Sequence, residues 1–316
     1  MAKGKIALAL GGGAARGWAH IGVLQVLHEA GLRPDIVVGT SMGAVVGGCY
    51  MAGKLETLEE FSRELTRRRV FGYLDFNLAG SGLISGHRLN SKLEEHLADR
   101  QIEELDGRYA AVATEIGTGQ EVWLSRGRLV DAMRASYALP GIFKPGRIHG
   151  RWLFDGALVN PIPVSVARAL GARYVIAVNV NGDLFSRGAM GPEQGTASED
   201  AHADPEEPQT TPPGRSARQL LQRQLFGRGS DTPGISSVML DAFNIVQDRI
   251  ARSRLAGDPP DVIIAPKLAD IGLFEFHRAG ETIERGRAAV KREIENILRE
   301  VEIRRRRGTL ETHLTA

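Results

Sequence analysis

A chain of 316 residues with 42% hydrophobic and 25% charged side chains can bury a sizeable core, as one large domain or two modest ones. Its formal net charge of +2 is too small to imply a nucleic-acid partner by itself. The lone cysteine, Cys49, excludes an internal disulfide and a cysteine-only zinc site, and it fits a reducing compartment.

Residues 5–10 read as a short buried strand, broken by Gly11-Gly12-Gly13. Residues 14–29 follow as a helix with Trp18, Ile21, Leu24 and Leu27 on one face and Gly31 just past its end. Residues 34–38 read as a second strand and 44–52 as a helix of mostly small residues. This alternation predicts parallel strands joined by crossover helices. Residues 36–53 are uncharged over about one membrane-spanning length. Their five glycines and internal turn signature point instead to a buried strand, turn and helix. The apolar run after the first lysines is too short for the core of an export signal. The expected location is therefore the cytoplasm, with peripheral contact at the inner membrane surface left open.

Further along, residues 55–69 and 86–98 read as amphipathic helices, and 109–115 and 120–124 as a hairpin through Gly117 and Gly119. Residues 129–138 form a helix that Pro140 ends. Residues 152–154 are a short strand running into Asp155-Gly156, and 174–180 a β-branched core strand. From 186 to 219 there is no Ile, Leu, Val, Phe, Tyr or Trp. Such a stretch cannot bury enough apolar surface to offset its chain entropy, and it reads as a disordered surface insertion. A helix at 234–256, a strand at 261–265 and a long last helix at 277–305 complete the chain, the last with Val290, Ile294, Ile297 and Val301 along one side. The expected organisation is a core over 1–181, a low-complexity insertion over 182–232, and C-terminal helices with one strand over 233–316.

Three motifs carry chemistry. Gly39-Thr40-Ser41-Met42-Gly43 is a G-x-S-x-G elbow between an apolar strand and a helix. That setting projects a serine hydroxyl from a sheet, with small residues two before and two after it so that the backbones can pass closely. Gly11-Gly12-Gly13-Ala14-Ala15-Arg16-Gly17 opens a helix after a strand, so its amides suit an anion, either a phosphate or a developing oxyanion. A dinucleotide fingerprint would need glycine where Arg16 stands, and a triphosphate loop would need a lysine that is absent. Asp155-Gly156 follows a strand, and an aspartate there can serve as a direct base or simply make an Asp-Gly turn. Of the eight histidines, none follows a strand end as the last member of a Ser–Asp–His order should.

Taken together, the G-G-G-x-x-R-G loop, the G-T-S-M-G elbow and the late D-G-A resemble the patatin-like phospholipases, in their bacterial branch. His20-Ile21-Gly22-Val23-Leu24, the run from Ala138 to Pro145 and Asn160-Pro161-Ile162-Pro163-Val164 extend the resemblance over residues 5–181. Ala157 stands at a position where the family also uses glycine, and beyond Gly182 no motif matches. The resemblance implies a three-layer α/β/α fold around a mostly parallel sheet. It implies a serine acyl-ester hydrolase acting on phospholipid or lysophospholipid through a Ser–Asp dyad, without histidine, metal or cofactor. Ser41 would attack the ester and Asp155 accept its proton. The amides of Gly12 and Gly13, with Gly11 or Ala14, would hold the oxyanion, and Arg16 would anchor the loop or meet an anionic head group. Gly39, Gly43 and Gly156 would be the spacing glycines. The expected partner is an acyl lipid and not nucleic acid, and self-association stays open.

Three rival readings also stay open: a Ser–His–Asp esterase or thioesterase using His20 or His149, a regulatory module on a hydrolase-like scaffold, and a nucleotide binder using the glycine loop. Cys49 and His20 read first as packed helix residues. Arg304 to Arg307 read as a solvated helix end or a lipid contact. Ser81-Gly82 and Phe71-Gly72-Tyr73 are candidates to line an acyl pocket.

Overall fold

The computed structural model describes residues 5–73, 87–184, 235–307 and Leu310. The stretch 186–219 and Ser81-Gly82 lie outside these residues.

Eight strands form one sheet: β1 (Lys5–Leu10), β2 (Ile36–Thr40), β3 (Arg108–Glu115), β4 (Glu121–Leu124), β5 (Gly146–Ile148), β6 (Arg151–Asp155), β7 (Ala172–Val178) and β8 (Val262–Ile264). Their order is β5-β6-β3-β2-β1-β7-β8, with β4 paired to β3. The centre is parallel, β8 to β7 to β1 to β2 to β3, and β4, β5 and β6 add antiparallel pairs at one side. The helices are α1 (Ala19–Glu29), α2 (Met42–Met51), α3 (Leu55–Arg63), α4 (Arg67–Tyr73), α5 (His87–Leu97), α6 (Leu129–Ser136), α7 (Val164–Ala169), α8 (Ile235–Gly257) and α9 (Ala279–Arg306).

Strand alternation makes the three layers. Leu8, Leu10, Val37, Tyr109, Ile176 and Val178 point into one core with α1, α2, α6 and α9. Their neighbours Ala7, Ala9, Ile36, Val38, Val112 and Val175 point into a second core under α7 and the Ala251 turn of α8. Each large aliphatic side chain so buried contributes on the order of 1.5–3 kcal/mol.

Several elements depart from the sequence reading for local reasons. The first helix begins as a 3₁₀ turn, Ala14–Trp18. The second strand runs two residues later than expected because Gly39 and Thr40 pair in register with Leu10 and Val112. The helix expected over 55–69 breaks, and the Thr66 hydroxyl caps α4 by accepting from the Arg69 amide at 3.2 Å. The short α7 has no counterpart in the sequence reading. The arginine run is partly committed to the fold: Arg304 bonds Asp261 and Glu300, both at 2.8 Å, and stacks on Tyr174. No described helix is long and apolar enough to cross a membrane.

Candidate active site

The site forms where two strands end head to head on one edge of β3. Residues 108–112 of β3 pair with β2, closing on Thr40↔Val112. Residues 113–115 pair with β6, which arrives from the opposite direction and closes on Asp155↔Ala113. Because β4 covers 111–114, β2 and β6 must share the other edge. The chain leaves β2 at Ser41 and β6 at Gly156, one register step apart.

Ser41 sits at φ 55°, ψ −123°, a backbone conformation that costs a non-glycine residue about 1–3 kcal/mol and persists only where the surroundings over-determine it. Those surroundings are specific. The Ser136 hydroxyl accepts from the Ser41 amide at 2.9 Å and donates to the Val112 carbonyl at 2.6 Å. The Thr40 hydroxyl donates to the Asn160 carbonyl at 2.8 Å. The motif glycines answer to contact. A Cβ at Gly39 would lie 2.4 Å from the Ala44 nitrogen, one at Gly43 2.2 Å from the Leu10 oxygen, and one at Gly156 2.2 Å from the Val112 oxygen.

Asp155 is 2% exposed and caps the 3₁₀ turn Gly156–Leu158, its Oδ1 accepting from the Ala157 amide at 2.9 Å. The Ser41 side chain lies close enough to this carboxylate to act on it, and both residues line one cavity. Burial pushes the Asp155 carboxyl up to about 7, against the opposing pull of the Ser41 side chain and the Ala157 amide. The pair therefore joins a serine hydroxyl to a carboxylate that is a far better base than an exposed aspartate.

The glycine loop packs beside them, but not as the resemblance implied. The Gly11 amide donates to the Val178 carbonyl and the Gly12 amide to the Pro161 carbonyl, both at 3.0 Å. These two expected oxyanion donors are thus occupied in this structure. The Gly13 and Ala14 amides make no such bond to any described residue, and both residues line the cavity that holds Ser41. The positive end of α2 also points at this position. Arg16 is an anchor. Its Nε donates to the Ile271 carbonyl at 2.8 Å and an Nη to Asn181 Oδ1 at 3.1 Å, and Asn181 in turn donates to the Gly12 carbonyl at 2.9 Å. Desolvation lowers its guanidinium to about 10, with Asp183 and Glu275 acting the other way. Arg16 is 5% exposed.

Neither rival histidine reaches the pair through the contacts seen. His20 is fully buried and bonded through Nε2 to the Gly11 carbonyl at 2.8 Å. Burial drops it to about 4, so it is neutral near pH 7. His149 lies in the β5–β6 turn, at the opposite end of β6 from Asp155. Among the described residues no cluster of His, Cys, Asp and Glu side chains could hold a metal ion.

The cavity over Ser41 and Asp155 is walled by Val45 and Cys49 of α2, Leu58 and Phe61 of α3, Leu93 and Leu97 of α5, Phe143, and Phe243 and Gln247 of α8. Sequence reading missed these walls, since helical periodicity marks a residue as apolar but not which neighbour it meets. It missed Ser136, Asn160 and Asn181 as supports of the elbow and loop for the same reason. The backbone of Phe71-Gly72-Tyr73 lies in α4, and the neighbouring Val70 lines the cavity.

Residues 8–168 match the family model of the patatin-like phospholipases. An uncharacterized NTE family protein of Mycobacterium tuberculosis is 33% identical over 330 residues, spanning 92% of this chain and 91% of that protein. The chain belongs to the patatin-like phospholipase family. Patatin-like phospholipase domain-containing protein 7 of Rattus norvegicus is 36% identical over 182 residues, 55% of this chain and 13% of that protein. VipD of Legionella pneumophila superposes with a TM-score of 0.45 at 12% identity, over 93% of this chain and 67% of that one. In this patatin-like chain the elbow, the glycine loop after Leu8 and the Asp155 turn all fall within the matched segment, whereas α8, which closes one side of the cavity, lies beyond it.

Proposed function

We propose that the protein is a serine acyl-ester hydrolase of lipids, a phospholipase or lysophospholipase, with Ser41 as nucleophile and Asp155 as base. The family generally hydrolyses lipid esters, and the observation that carries the finer reading is the Ser41 side chain beside the buried Asp155 carboxyl in one cavity with apolar walls. As the Ser41 oxygen attacks the ester carbonyl, its proton passes to Asp155. The carbonyl oxygen, now negative, turns toward the Gly13 and Ala14 amides and the N-terminus of α2. Collapse breaks the ester bond, and the departing alcohol takes the proton from Asp155. A water that gives its proton to Asp155 then attacks the acyl-serine. Ser41 leaves with that proton restored, and the fatty acid is released. The acyl chain would lie among Val45, Leu58, Phe61, Leu93 and Leu97, where water is excluded and the charge-stabilising interactions gain strength.

The test is hydrolysis of a panel of phospholipids, lysophospholipids and soluble p-nitrophenyl esters by purified protein, beside Ser41→Ala. Release of fatty acid that the variant lacks supports the reading. Equal release by both would refute it.

A further inference from the structure

Helix α8 carries two apolar faces, and the described residues cover only one. Its inner face sends Phe243 and Gln247 to the cavity and Ala251 into the second core. At 3.6 residues per turn, Val238, Met239, Ala242, Ile245, Val246 and Arg249 fall on a single stripe roughly 120° wide on the opposite side. Every member of the stripe is exposed, Met239 by 64%. Four of the molecule's exposed large apolar side chains thus lie on two turns of the helix that closes the cavity.

A second exposed apolar group lies on the sheet face over which α8 packs. The register places Trp123 opposite Val112 and Phe154 opposite Thr114. Strand alternation therefore puts Trp123, Trp152 and Ile116 on one face of the sheet, and all three are exposed, Trp152 by 49%. Glu121 links this group to α8, accepting from the Trp123 indole at 2.7 Å and from Arg254 at 3.0 Å. Arg147 stacks over Trp152 at 5.3 Å. The charges nearest the stripe are Arg249, which continues it, Asp241 at its margin, and Asp248, which is neutralised by Arg252 at 2.7 Å.

We propose that this surface, with the α8 stripe at its centre, docks the protein on a lipid bilayer. The inference rests on the reading of the cavity as an acyl site. A bilayer suits each observation. Contiguous apolar side chains on a helix enter the acyl boundary, indoles favour the interface, and Arg249 and Arg147 meet lipid phosphates. A second copy of this chain would cover the stripe equally well, but it would not explain why the bare face backs directly onto the cavity.

The test uses full-length Ser41→Ala protein, so that binding is read without turnover. Flotation with phosphatidylcholine vesicles, alone or mixed with phosphatidylglycerol, should show binding that strengthens with the anionic lipid. The double variant Val238→Asp/Ile245→Asp should lower it about tenfold or more. In the Ser41-containing background the same pair should leave hydrolysis of a soluble short-chain ester unchanged, because both side chains face away from the cavity. Should the pair fail to fold, Met239→Cys carrying an environment-sensitive dye replaces it, since Cys49 is buried. Its emission should rise on adding vesicles. Vesicle binding that is unaffected by the pair, or no dye response, overturns the proposal. So does concentration-dependent dimerisation that the pair abolishes in the absence of any vesicle binding. Loss of short-ester hydrolysis in the parent with vesicle binding intact would instead strike the catalytic reading.

Discussion

Ser41 and Asp155 line one cavity although 113 residues separate them, because both lie at strand ends that meet on one edge of β3. The third strand acts as the ruler: Val112 sets the end of β2 and Ala113 the end of β6. Supports repeat across this junction. Thr114 donates to the Asp155 carbonyl, and Ser136 ties the Ser41 amide to the Val112 carbonyl. Ser41 and Asp155 are thus held by the sheet, the arrangement that preorganised catalysis needs.

The glycines near Ser41 should separate structural from catalytic effects. A Cβ at Gly43 would press 2.2 Å from the Leu10 backbone oxygen, which cannot move without breaking β1. Gly43→Ala should therefore lose about 3 kcal/mol or more, visible as a large drop in Tm. A Cβ at Gly12 would meet Ser41 Cβ at 3.4 Å, an ordinary contact. Gly12→Ala should fold with Tm near the parent and yet hydrolyse esters about tenfold or more slowly, because the methyl crowds the path to the serine. Equal stability loss in both variants would contradict this distinction.

Two buried groups should oppose each other in the pH dependence of stability. Asp155 rises from 3.8 to about 7 in the fold, so the native state keeps a proton that the unfolded chain releases. Stability therefore falls as pH rises from about 4 to about 7, by at most ~4 kcal/mol. His20 falls from 6.5 to about 4, so the unfolded chain takes up a proton that the fold refuses. Stability from this group is lost as pH drops from about 6.5 to about 4, by at most ~3 kcal/mol. Asp155→Asn should be more stable than the parent at pH 7, and denaturant titrations should reveal the His20 slope that Asp155 masks. A variant less stable than the parent at pH 7 would contradict the assignment of burial as the dominant cause.

The cavity wall should set chain-length preference. Val45 lies one helical turn beyond Ser41 and lines the cavity. Val45→Trp fills the space nearest the reacting carbon, so kcat/KM for long-chain esters should fall at least about tenfold relative to short-chain ones, since each methylene expelled from an apolar pocket costs about 0.8 kcal/mol. A chain-length profile identical to the parent's would place the acyl group elsewhere.

Much of this was legible in the sequence because it is local. The strand–turn–helix around Ser41, the parallel β/α alternation and the Asp-Gly turn depend on residues within a few positions of one another. What was not legible depends on register. Gly11 and Gly12 look like free donors until the end of β7 and Pro161 arrive to take their amides. Arg16 looked open to a head group until the distant Ile271 carbonyl and Asn181 enclosed it. The uncharged stretch 36–53 was read correctly as strand and helix because its glycines mark a turn, whereas the split at Thr66 hinges on one capping hydroxyl. The cavity walls come from α2, α3, α5 and α8, and no single-segment pattern announces which apolar faces will converge.

The central claim is that Ser41 is activated by Asp155 alone. Fluorophosphonate labelling followed by peptide mapping tests it most directly, with the rate measured across pH in the parent, Ser41→Ala and Asp155→Asn. The account predicts a single adduct on Ser41, a rate rising with pH to a plateau with its midpoint near 7, and a slowing of about a hundredfold or more in Asp155→Asn. An adduct on another serine, or Asp155→Asn reacting at the parent rate, would contradict it.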